Sequence, residues 1–205
     1  MHFILDHLDP IEATVPGLAG RLDRSRVAAV GHSMGGHTVG MLAGMRVTDP
    51  HDGQQVNLAE PRIKAGVLIG APGKGADASA FVSEHYPVLR NNSFAEMTMP
   101  ALVVAGDKDK NINFSERDDW RADAYHLSPS PKSLLTILGG EHILGGISGY
   151  DAAETTDDSP ERVALVQKLT LAYLRTALYP DDSSWADAQR ALRGDAHPTA
   201  RIESK

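Results

Sequence analysis

Residues 26–30, Arg-Val-Ala-Ala-Val, form a short apolar run that breaks directly into Gly31-His32-Ser33-Met34-Gly35. No other stretch of the chain restricts its fold so tightly. The run predicts a strand, and Gly36 with the apolar residues Val39, Met41, Leu42 and Met45 predicts a helix over residues 34–45. A strand and a helix joined this closely need small residues around the bend and a strained backbone at the serine. Such a turn pushes the Ser33 hydroxyl out at the end of a sheet and leaves the nearest amides exposed. It also aims the positive end of the helix at that point. Ser33 is therefore a candidate nucleophile, and the Met34 amide a candidate donor to a developing oxyanion.

A lone serine does no chemistry at neutral pH; it needs a base and a group that orients the base. When a serine stands on a strand-to-helix elbow, the acid and then the histidine follow it, each at the end of a later strand. The chain supplies both in that order. Ala101-Leu102-Val103-Val104-Ala105 reads as a buried strand that runs into Gly106-Asp107-Lys108-Asp109. Ser133-Leu134-Leu135-Thr136-Ile137-Leu138 reads as another, ending in Gly139-Gly140-Glu141-His142. The chain has nine histidines, so residue type alone selects none of them. Position and order select His142. Asp109 and Asp107 both sit on the preceding loop, and Asp107 is expected to cap a turn or face solvent.

The remaining pattern alternates strands with helices, which predicts an α/β fold with a mostly parallel sheet flanked by helices. A short helix is expected near residues 2–8, a strand over 63–69, a short helix over 78–85 and a helix around 116–126. The clearest helix spans 162–178. Asp158, Ser159 and Pro160 start it, and Val163, Val166, Leu169, Leu171, Leu174 and Leu178 are expected against the sheet. Residues 49–53 are a polar turn. Residues 1–180 read as one domain, and residues 181–205 as a polar, loosely attached tail with a short helix near Trp185.

Composition narrows the function classes. The net charge of −7, with no basic run, argues against nucleic acid as a partner. No stretch approaches the ~20 apolar residues of a membrane span. The absence of cysteine removes disulfides, thiolate metal sites and cysteine nucleophiles together. No metal site is expected, and His32 and His37 read as packing beside the serine. The glycine-rich loop at residues 70–75 lacks the serine or threonine of a phosphate loop, because Gly75 follows Lys74. It reads instead as one wall of the cleft. Phe81, Tyr86, Phe94, Met97 and Met99 are either a pocket wall or ordinary core or loop packing.

The segments GHSMGG, PALVVAGDKD and LLTILGGEH, in this order, resemble the α/β-hydrolase superfamily. Within it the chain is most similar to uncapped serine esterases: dienelactone hydrolases, chlorophyllases, platelet-activating-factor acetylhydrolases and cutinase-like polyester hydrolases. The resemblance covers most of the chain, about residues 26–179. It implies Ser33 as nucleophile, Asp109 as acid, His142 as base and Met34 as oxyanion donor, with no cofactor. It implies a small-molecule, lipid or polymer ester as substrate. It leaves open an amidase or peptidase with the same residues, and a non-catalytic fragment.

One departure stands out. Only 32 residues precede Ser33, where the family places its first four strands and the loop of a second oxyanion amide. The chain is therefore expected to be an N-terminally truncated form of the fold. Residues 26–30 would then form a sheet edge prone to self-association, with a homo-oligomer as one outcome and low activity as another. The compartment reads as cytoplasmic by default, with secretion left open.

Overall fold

A computed structural model describes residues 1–196 and 198–205. Two short helices, α1 (His2–Asp6) and α2 (Leu8–Thr14), open the chain. The strand β1 (Val27–His32) and the helix α3 (Met34–Leu42) follow, and then two strands, β2 (Arg46–Thr48) and β3 (Gln55–Val56). Next come β4 (Ile63–Ile69), α4 (Ala80–His85), β5 (Asn92–Ser93) and β6 (Ala101–Gly106). The remaining elements are α5 (Asp123–His126), β7 (Lys132–Ile137), α6 (Pro160–Leu178), α7 (Ser184–Arg193) and β8 (Ala200–Ser204).

The main sheet has five strands in the order β1-β4-β6-β7-β8. The first three pairings are parallel, with Val30 opposite Val67, Leu68 opposite Val103, and Val103 opposite Leu134. This is an α/β fold with a mostly parallel sheet, as the alternation of the sequence predicts. Strands β4 and β6 are covered on both faces, which is why they read as continuous apolar runs rather than alternating ones. Residues 101–104 of β6 are fully buried. One face packs a core that includes Val39, Leu42, Leu68 and Val103 under α3. The other packs Val67, Leu102, Leu135, Val166 and Leu169 under α6. At residues 30–33, 69–73, 106–109 and 138–142, four strand ends of one sheet open onto loops. Ligands of open α/β sheets bind at such ends.

Several expectations change. The supposed tail at 181–205 is part of the domain, although its residue 197 lies outside the described residues. β8 runs antiparallel along β7, from Ser133 opposite Ser204 to Ile137 opposite Ala200. Ala200 and Ile202 face the core while Arg201 and Glu203 are exposed, a strand pattern too short and too charged to stand out. Helix α7 buries Trp185 edge-on against Tyr173, with ring centroids 5.3 Å apart. Helix α6 begins at Pro160, with the Ser159 side chain accepting from the Arg162 amide, as the capping pattern predicts. Its inward face differs from expectation: Tyr173 is buried, and Leu171 is 59% exposed.

Only a four-residue helix forms near residue 120, preceded by one 3-10 turn at Trp120–Ala122. Arg117 explains the shortfall. It ties the preceding stretch to Asp77, Asp119 and Asp123 by ion pairs of 2.7–2.9 Å, out of helical register. The polar turn at 49–53 closes a hairpin, and β3-β2-β5 form a second, antiparallel sheet that the sequence reading missed. Phe94 and Met97 are core residues, while Phe81 and Tyr86 are exposed.

Candidate functional site

At the end of β1 the chain turns at Ser33 with φ 55° and ψ −118°, a left-handed conformation that side chains other than glycine seldom adopt. Two glycines permit the turn. A Cβ on Gly31 would lie 2.2 Å from the Gly35 carbonyl oxygen, and one on Gly36 would lie 2.9 Å from the Ala71 Cβ. Gly35 has open space where its side chain would stand, so the crowded pair is Gly31 and Gly36. The Ser33 amide donates to the Ile69 carbonyl at 2.8 Å and binds the elbow to β4. Met34 begins α3, and the first amides of a helix have no acceptor within it.

The three residues selected by order in the sequence meet at this point. Ser33 Oγ lies 3.0 Å from His142 Nε2, and His142 Nδ1 lies 2.8 Å from Asp109 Oδ2. With a proton on Nδ1, the ring donates to Asp109 and accepts from the Ser33 hydroxyl. An alcohol so placed can pass its proton to the ring as it attacks an electrophilic carbon, while the carboxylate balances the charge that forms. Asp107 is turned away: its Oδ1 accepts from the Gly139 amide at 2.7 Å and caps the turn that leads to His142.

Five further residues shape the site; the sequence places Gly70 and His32 beside it, while no motif marks Asp157, Arg162 or Arg121. Gly70, at the end of β4 with φ 53°, lies beneath the His142 ring; a Cβ there would come within 3.2 Å of Cε1. The His32 Nε2–H donates to the His142 carbonyl at 2.9 Å. Burial pushes the His32 imidazole down, more than its bond to that carbonyl raises it, which favours the neutral ring. Asp157 gathers the histidine loop, accepting from the Glu141 amide at 2.9 Å and the Gly145 amide at 3.0 Å. Arg162, on α6, holds Asp157 in turn at 3.2 Å. Arg121, 6% exposed, brings its Nε within 3.2 Å of Asp109 Oδ2.

Burial of Asp109 alone would raise its carboxyl. The hydrogen bond from His142 and the charge of Arg121 outweigh that and hold it below the usual carboxylate range. Lys74, in the glycine-rich loop, has its amide committed to Asp123 at 2.8 Å.

Grooves of about 410–530 Å³ run along α6, α7 and β8, and neither Ser33 nor His142 borders them. Among the described residues, no group of three or more histidine, aspartate or glutamate side chains is placed to hold a metal ion. No helix among them is long and apolar enough to cross a membrane. Comparison with models of known protein families finds no match, and a search of curated proteins finds no relative.

Proposed function

We propose that this chain is a serine hydrolase of the α/β-hydrolase kind, cleaving carboxylic esters through an acyl-enzyme intermediate. His142 takes the proton of Ser33 Oγ as that oxygen attacks the ester carbonyl, and returns it to the leaving alcohol. Asp109 keeps the ring in the tautomer this requires and stabilises the imidazolium. The Met34 amide faces the oxyanion. Water then repeats the sequence against the acyl-serine, with His142 as base, and frees the acid. One observation carries the reading: an unbroken path of 3.0 Å and 2.8 Å contacts from Ser33 through His142 to Asp109, starting at a serine with φ 55°.

Esters are favoured over amides by the motif resemblance, and by the weaker demand an alcohol leaving group makes on proton transfer. The resemblance names one oxyanion donor, and the loss of a second typically costs about a hundred- to a thousand-fold in turnover. Modest activity is therefore expected from this chain. A fluorophosphonate probe tests the assignment. Intact-mass analysis should show one adduct on the wild type and none on Ser33→Ala; labelling of both at the same rate would sink the proposal. Parallel ester and amide substrates with one acyl group then decide between esterase and amidase.

A further inference from the structure

Arg121 is a buried cation that shares a single carboxylate oxygen with the candidate base. Asp109 Oδ2 accepts from His142 Nδ1 at 2.8 Å and faces Arg121 Nε at 3.2 Å. The guanidinium is held between aromatic rings, its Cζ 5.1 Å from the centroid of Trp120 and 5.4 Å from that of Phe114. Its Nη1 is buried without a partner. The acids nearby in sequence are engaged elsewhere, Asp118 with Lys110 and Asp119 with Arg117. Asp109 is therefore the counter-ion of Arg121 as well as the partner of His142.

That sharing has a consequence for proton transfer. While His142 is neutral, the Asp109 charge is balanced by Arg121. Once His142, whose side chain is 32% exposed, is protonated, one buried carboxylate faces two cations, and solvent screens their repulsion only in part. The other charged or titratable groups around the ring are turned to different partners. Asp107 binds the Gly139 amide, Glu141 the Thr156 hydroxyl, and Asp157 Arg162 with two loop amides. The His32 ring, with its centroid 4.7 Å from that of His142, spends its Nε2–H on the His142 carbonyl.

We propose that Arg121 is a positioning residue that acts through Asp109: as the second partner of that carboxylate it keeps His142 neutral, and so available as a base, to lower pH than an Asp–His pair alone would. This rests on His142 being the base of the proposed reaction. A purely structural arginine would alter stability, and if its loss displaced Asp109 the His142 midpoint would fall rather than rise.

The test pairs two measurements on the full chain. The first is the pH dependence of kcat/KM on a short-chain ester for wild type, Arg121→Met and Arg121→Lys. The second is an NMR titration of the His142 ring in the Ser33→Ala background, with and without Arg121→Met, which needs no turnover. Removal of the charge should move the His142 midpoint up by about half to one pH unit. Arg121→Lys, which keeps the charge, should stay closer to wild type. Should Arg121→Met fail to fold, Arg121→Gln carries the same expectation. An unmoved or lowered midpoint in a folded, uncharged variant overturns the proposal. A moved NMR midpoint in a chain with no ester turnover overturns the esterase reading instead.

Discussion

The candidate acid and base are held by the interior of the sheet, whereas the candidate nucleophile stands on its edge. Asp109 and His142 leave β6 and β7, each paired on both sides. Their loops are joined to one another, with the Lys108 amide donating to the Gly140 carbonyl and the Gly139 amide to Asp107. Asp157, Arg162 and Arg121 add buried or half-buried contacts from two more elements. Ser33 leaves β1, paired with β4 alone, and Val30 beside it is 50% exposed. The acid–base half is thus fixed by many mutually supporting bonds. The nucleophile half relies on one strand pairing, the crowded glycines of the turn and the packing of α3 on the sheet. Changes in the first half should act on chemistry, and changes in the second on folding and association.

The largest expected effect lies in the interior half. Asp109→Asn should lower ester turnover by about four orders of magnitude, since an amide favours the wrong tautomer of His142, and should also cost stability, because buried Arg121 loses its counter-ion. Asp107→Asn keeps an oxygen for the Gly139 amide and should do far less. Turnover of the two variants, alongside their urea midpoints, checks this. The reverse ranking would move the acid's role to Asp107 and break the comparison at its better-supported end.

Ser33, Asp109 and His142 were legible because each sits where a strand ends, and strands β1, β4, β6 and β7 announce themselves as apolar runs. Asp157 and Arg121 were not, and for Gly70 and His32 the place beside the serine was legible but the contact with His142 was not. No local pattern marks these contacts: Gly70 and His32 meet His142 from far along the chain, and Arg121 reaches Asp109 only through the fold of the long β6–α5 connection they share. The edge strand β8 was hidden for a related reason. Five residues with two outward charges have no sheet character until β7 is there to pair with them. A short helix near Trp185 is legible in the sequence, but its docking on α6 depends on Tyr173.

The next effect tests the nucleophile half through pH. His37, on α3 one turn after Ser33, is 2% exposed, and its Nε2 has no partner. Burial pushes its imidazole down to about 4. In the unfolded chain it takes up a proton near the ordinary value of about 6.5. Between those values the unfolded state binds more protons than the folded one, so stability falls as pH drops through that window. The whole window corresponds to about 3 kcal/mol. His32, also lowered by burial, acts in the same direction. Urea unfolding at about pH 7 and about pH 5 should show His37→Leu losing about 2 kcal/mol less than wild type between the two. Equal losses would mean that the elbow helix tolerates a charge at this position, and that the edge half is looser than its packing implies.

The smallest effect on folding, and the sharpest test of the edge itself, comes from Val30. β1 and β8 are the two edges of one sheet, and they are built differently. β8 is antiparallel and carries outward Arg201 and Glu203, the kind of charged edge that discourages pairing with another chain. β1 reads Val27-Ala28-Ala29-Val30 with no charge within the strand, and offers a row of backbone groups on its open side. Such an edge is a template for a strand from a second copy, and this chain is expected to self-associate as concentration rises. Val30→Lys should suppress that association. Because Val30 is half exposed, the change should leave the thermal midpoint within a few degrees of wild type, in line with about 0.5 kcal/mol for an ordinary surface substitution. Light scattering across a dilution series of both proteins reads the difference directly. A wild type that stays monomeric throughout, while turning over short-chain esters, would show that the two edges are equally protected, with α1, α2 and the loop before β1 doing for one edge what charge does for the other.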